Sequence, residues 1–138
     1  MSNSSKFILL CLIIGVLIFF IKFYNRITPN GSDYTEATII KCYYPGSPHS
    51  TTIEGIFKIG NNSYNSVGYI TAGVLSTDYL NKLLIDKKAI VVYRKDDPNR
   101  SVIIFSKKNF DYYKVPFNNE NVFLDSLLGK YDNNYNWP

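Results

Sequence analysis

The chain has 138 residues, with 15 Lys and Arg against 11 Asp and Glu and a formal net charge of +4. That length holds one domain with a core of its own and excludes two. Lys6, Lys22 and Arg26 flank a single apolar segment, and taking those three from 15 leaves 12 basic residues against 11 acidic ones, so the remainder is near neutral. Lys87-Lys88 and Lys107-Lys108 are isolated pairs rather than a basic stripe, and no nucleic-acid partner is expected.

From Phe7 to Ile21 the sequence FILLCLIIGVLIFFI carries no charge, and Phe23 and Tyr24 prolong it beyond Lys22. At 1.5 Å per residue, Phe7 to Tyr24 covers roughly 27 Å, close to the ~30 Å hydrocarbon core of a bilayer. Lys22 can lift its ammonium to the headgroups, and Tyr24 suits the interface. The expected element is therefore a single-pass transmembrane helix whose partner is the lipid bilayer. A cleaved signal peptide would need small residues near the cut, whereas IKFYNRITPNGS offers bulky or charged ones. Leu9 and Leu10 before Cys11 likewise do not suit a lipoprotein site. Flanking charge is nearly balanced, and the export-like N-terminal tail favours an extracytoplasmic domain at the cell membrane.

Residues 27–34 hold Pro29, Asn30 and Gly31 and are expected to link residues 1–26 to a globular domain over 35–130. Thr35 to Tyr44 is β-branched and aromatic and predicts a strand that stops at Pro45-Gly46-Ser47-Pro48. Thr52 to Ile59 alternates, Gly60-Asn61-Asn62 tolerates positive φ, and Ser63 to Val67 returns, which predicts a hairpin. A short helix should follow, capped by Ser76 or Thr77, with Asp78 in its first turn and Leu80, Leu83 and Leu84 on one face. Ala89 to Tyr93 and Ser101 to Phe105 read as strands around the turn Asp96-Asp97-Pro98-Asn99. Val122 to Leu128 places Phe123, Leu124, Leu127 and Leu128 on one helical stripe, with Gly129 as a C-cap glycine. Residues 131–138 read as a loose Asn-rich tail. The expected fold class is α+β and mainly antiparallel β: a transmembrane helix, then a small sheet or half-open barrel with one or two short helices.

The stretch Lys88-Ala89-Ile90-Val91-Val92-Tyr93, followed by Asp97-Pro98 and Ser101, resembles the signature of a bacterial family of small membrane-anchored β-rich domains of unknown function. In that family a hairpin precedes a strand of the form Val-x-Val-x-Tyr, then Asn/Asp-Pro and a Ser that opens the next strand. Phe57 to Tyr64 would be the hairpin, and the likeness covers Thr35 to Phe105. Arg94 and Lys95 depart from the family pattern, and Asp86 or Lys87 stands where a glycine is common before the late strand. The resemblance implies a fold and no chemistry.

Candidate chemical residues are few. His49, the single histidine, lies in the loop PGSPHS with no ligand set of metal-site spacing. Cys42 with His49 is the one thiol–imidazole combination outside the helix, yet alternation with Ile40 on one strand face predicts a buried, inert thiol. Asp96-Asp97 beside Pro98 is expected to form an Asx-type turn rather than a cation site. No catalytic, cofactor or metal residue is assigned. Tyr43, Tyr44, Tyr112 and Tyr113 form the candidate interaction surface, because aromatic anchors carry much interface energy. The expected function is a membrane-anchored, non-enzymatic interaction module for a protein or envelope partner. The alternatives are a tethered enzyme using Cys42 and His49, or a structural assembly factor.

Overall fold

A computed structural model of the chain describes residues 3–46, 50–71 and 73–132. The first helix is α1 (Asn3–Asn25), and its large side chains in residues 7–21 are all apolar and each 46–68% exposed. Among the described residues no helix is long and apolar enough to cross a membrane. The side chains described in α1 are those of residues 6–21.

Among the described residues, five strands and three further α-helices follow: β1 (Ser32–Tyr43), β2 (Ser50–Ile59), β3 (Asn62–Thr71), α2 (Thr77–Leu84), β4 (Lys88–Arg94), β5 (Ser101–Ile104), α3 (Lys107–Tyr113) and α4 (Asn119–Leu128). The strands close in the order β1-β2-β3-β5-β4 and back to β1. The α+β class stands, but the barrel is closed rather than half-open. All pairings are antiparallel except β3 with β5, which run parallel at Val67 and Val102. A five-stranded barrel of this connectivity, with a helix between β3 and β4, has the OB-fold topology.

Closure depends on β1, which pairs through Ser32–Thr38 with β4 and through Ala37–Tyr43 with β2. A bulge between Ile39 and Lys41 shifts the register as the strand passes from one partner to the other. The β2–β3 hairpin forms as expected, with Ile59 opposite Asn62 and Gly60 at φ 58°. Positive φ at the first of two turn residues is what a type II′ turn demands of glycine.

Inside the barrel, Ala37, Ile39, Cys42, Ile53, Phe57, Ile70, Val91, Ile103 and Phe105 form the main core. Leu80 and Leu84 of α2 and Leu124 and Leu128 of α4 complete it. Ser76 caps α2, accepting from Tyr79 N–H at 3.2 Å. Phe57 stacks on Tyr64 and Tyr93, with ring centroids 5.4 and 5.7 Å away. A smaller cluster outside the barrel joins Val92, Val102, Ile104, Phe110 and Val115, with Ile27, Tyr113 and Phe117 against it.

Four local expectations are corrected. A seven-residue helix, α3, lies where no element is predicted. Phe123 is 44% exposed instead of sharing the buried stripe of Leu124 and Leu128. Gly129 is not a left-handed C-cap: its φ of −56° is helical, and a Cβ there would displace the Asp125 carboxylate. Finally, the chain stays packed through Asp132, which bridges to Ile70; residues 133–138 of the expected tail lie outside the described residues.

Gly68 lies where β3 passes close to the end of β5. A Cβ there would stand 2.6 Å from the Phe105 ring and 2.7 Å from Ile103 O. Gly68→Ala should therefore force β3 away from β5 and lower stability by about 1–3 kcal/mol, measured by urea denaturation of the full chain. Unchanged stability would show that the seam is not tightly packed.

Candidate functional site

Cys42 is 2% exposed and faces the barrel interior. Its neighbour across the bulge is Ile39, which is fully buried, whereas Ile40 is 38% exposed. Burial of the thiol is as expected, but pairing it with Ile40 is corrected, since the bulge inverts the alternation after Ile39. On the side of β1 away from β2, β4 begins only at Lys88, opposite Thr38. Beyond that point other groups replace the missing strand. Ile39 N–H donates to Lys87 O at 2.9 Å, and Asp86 N–H donates to Ile39 O at 2.9 Å. The Asn81 side chain then accepts from Cys42 N–H at 2.7 Å and donates to Cys42 O at 3.0 Å. Burial pushes the Cys42 thiol up to about 11. A thiol held neutral and enclosed is a poor nucleophile. His49 lies outside the described residues.

The four tyrosines fall into two separate pairs. Tyr43 ends β1 and Tyr44 follows it, and neither ring enters either apolar cluster. Tyr44 is 48% exposed, and Tyr43 is half-buried on the outer face, opposite Thr52, which in turn opposes Tyr69. Burial and then the nearby Tyr43 hydroxyl raise the Tyr69 phenol. Between these rings the Thr52 hydroxyl is buried with no hydrogen-bond partner among the described residues. Lys41 reaches to 5.0 Å from the Tyr43 ring centre. Tyr112 and Tyr113 end α3 and are half-buried, with ring centroids 4.8 Å apart and planes nearly perpendicular. Burial and then Tyr112 push the Tyr113 phenol up to about 12. The Tyr112 hydroxyl accepts from Arg26 Nη2 at 3.4 Å.

The remaining polar clusters are occupied by structural work. Asp97 Oδ1 accepts from Asn99 N–H at 3.2 Å, the expected Asx-type turn. Arg94 binds Asp96, and these hydrogen bonds hold the Asp96 carboxyl below the ordinary aspartate range. At the start of α3, Asp132 Oδ2 accepts from Ser106 N–H at 2.9 Å and from Asn109 Nδ2 at 2.7 Å. Asp125 Oδ1 accepts from Lys107 N–H at 2.8 Å. Sequence reasoning missed these carboxylates because their partners lie 18 to 26 residues away. Among the described residues no group of three or more His, Cys, Asp or Glu could hold a metal ion.

OB barrels use the face of strands 2 and 3 for oligonucleotides and oligosaccharides. Here that face carries Glu54, Ile56 and Lys58 on β2 and Asn65, Val67 and Tyr69 on β3, beside Lys41 and Tyr43 of β1. Asn65 Nδ2 donates to Glu54 at 3.3 Å. The signs are mixed and no track of cations runs across it, which a phosphate backbone would need. The comparisons give no family model, curated protein or solved structure that matches the chain.

The state of Cys42 yields a pH prediction. Its folded value is raised from 9.0 to about 11, so the stabilisation is complete below pH 9 and is lost as pH climbs towards 11. Two units correspond to about 2–3 kcal/mol. Urea denaturation across that range should show the loss, and Cys42→Ala should reduce it. Rapid alkylation of Cys42 in the folded chain at pH 8 would contradict its burial.

Proposed function

We propose that the chain is a single-pass membrane protein whose barrel is a non-enzymatic interaction module. One observation carries the anchor: every large side chain in residues 7–21 is apolar and about half exposed, left uncovered by the described residues of the barrel. So much contiguous apolar surface needs burial, and a helix apolar all round suits lipid better than a partner groove. The spanning segment is Phe7 to Tyr24, which adds residues beyond those whose side chains are described. The likeness of Lys88–Tyr93, Asp97-Pro98 and Ser101 to membrane-anchored bacterial domains supports the same view. Of Asp86 and Lys87, at one of which that family commonly has glycine, Asp86 adopts φ 66°, a conformation glycine favours.

The partner surface of the module is the outer face around Tyr43, Thr52 and Tyr69, extended by Tyr44. The rings of Tyr43, Tyr44 and Tyr69 lie at or beside this face, and aromatic anchors of this kind carry much of the energy of protein interfaces. Enclosure of Cys42 argues against the tethered enzyme using Cys42 and His49. The resemblance of the N-terminal tail to an export signal supports an extracytoplasmic domain.

Alkaline carbonate treatment of membranes from cells expressing the full chain tests the anchor. The chain should stay in the membrane pellet and be released by detergent. Recovery of the folded chain in the carbonate supernatant would contradict the proposal.

A further inference from the structure

The join between α1 and the barrel has almost no slack. The helix ends at Asn25, and Ile27, two residues later, already packs against the outer cluster of Val92, Val102, Ile104, Phe110 and Val115. Arg26 is bonded to Tyr112. Next, Gly31 N–H donates to Thr28 O at 3.2 Å, Ser32 Oγ to Pro29 O at 3.2 Å, and Lys95 N–H to Gly31 O at 3.1 Å. Each residue from Arg26 to Ser32 is therefore within two positions of a contact that fastens it.

Around this join the barrel presents a particular surface. Tyr34 pairs with Val92 on the outer face of β1 and β4 and is 44% exposed. Tyr112 and Tyr113 lie against each other, with Tyr113 and Phe117 against the same outer cluster as Ile27. Arg26 and Lys114 add exposed cations. Tyrosine rings with an apolar body and a polar tip, beside basic side chains, have the chemistry that settles at the headgroup level.

We infer that this surface, centred on Tyr34, Tyr112 and Arg26, is a seat on the bilayer interface and holds the barrel against the membrane in one orientation. The inference rests on the membrane anchor proposed above. Its occupant is the lipid headgroup layer, because the segment that enters the bilayer is covalently continuous with Arg26 and Ile27. Tyr112 and Tyr113 thus serve lipid, while Tyr43 and Tyr44 stay free for a partner. The strand β1 runs twelve residues from Ser32 to Tyr43, which at about 3.3 Å per residue puts Tyr44 far from the seat.

The test is fluorescence quenching of the full chain in phosphatidylcholine vesicles brominated near the glycerol end of their acyl chains. Trp137, the single tryptophan, is replaced by Phe, and one indole is introduced by Tyr112→Trp, Tyr34→Trp or Tyr44→Trp. The indoles at 112 and 34 should lose most of their emission in brominated vesicles, and the one at 44 should keep it. Using two seat positions guards against a packing defect at either. Equal quenching at all three positions, or none at 112 and 34, in chain that floats with the vesicles overturns the seat and leaves the anchor intact. Chain that does not float with the vesicles overturns both.

Discussion

One strand, β1, has to satisfy two neighbours, and the rest of the molecule is arranged around that demand. Its first half pairs with β4 and its second with β2, so it closes the barrel only by bending between them. The bulge after Ile39 supplies the bend by admitting an extra residue, which leaves Ile40 outside and brings Cys42 in. Past the bulge β1 has no strand on its second side, and its exposed backbone groups would be a template for aggregation or a desolvation cost. The amide of Asn81 answers both, so α2 is fixed across the end of the barrel by a polar side chain as well as by Leu80 and Leu84.

The opposite seam works by contact rather than by extended pairing. β3 and β5 share one parallel register pair, and their backbones can approach because Gly68 lacks a Cβ where Phe105 and Ile103 O pass. Asp132 and Asp125 then bind the backbone that leaves β5 and enters α3. Through them the C-terminal helix is tied to the closure of the barrel. The same chain end thereby supports the outer cluster into which Ile27 packs, linking the core to the base of α1.

Elements whose determinants are local were legible in the sequence. The alternation of β2, the Gly60 turn, the Ser76 cap and the Asp97 turn each depend on residues a few positions apart. The bulge was not legible, because TIIKC has the same β-branched composition whether or not one residue is extruded, and only the competing registers of β2 and β4 decide it. Parallel pairing of β3 with β5 follows from a crossover through α2 and β4 that no short window contains. Helix α3 escaped because KKNFDYY is seven residues long and takes its stability from Phe110 and from two remote carboxylates. For the candidate site, the four tyrosines were recognisable as a class. Their division into one pair beside Thr52 and one pair beside Arg26 required the fold.

The contacts of Arg26, Ile27 and Gly31 mount α1 on the barrel rather than tether it. Spin labels at Phe20→Cys in α1 and Asn61→Cys in the β2–β3 turn, in full chain with Cys11→Ser, report this directly when their separation is measured in lipid nanodiscs. Cys42 stays enclosed and unlabelled. A mounted barrel predicts a single narrow distance distribution, no broader than the labels' own motion. A broad distribution spanning many barrel orientations would contradict the account.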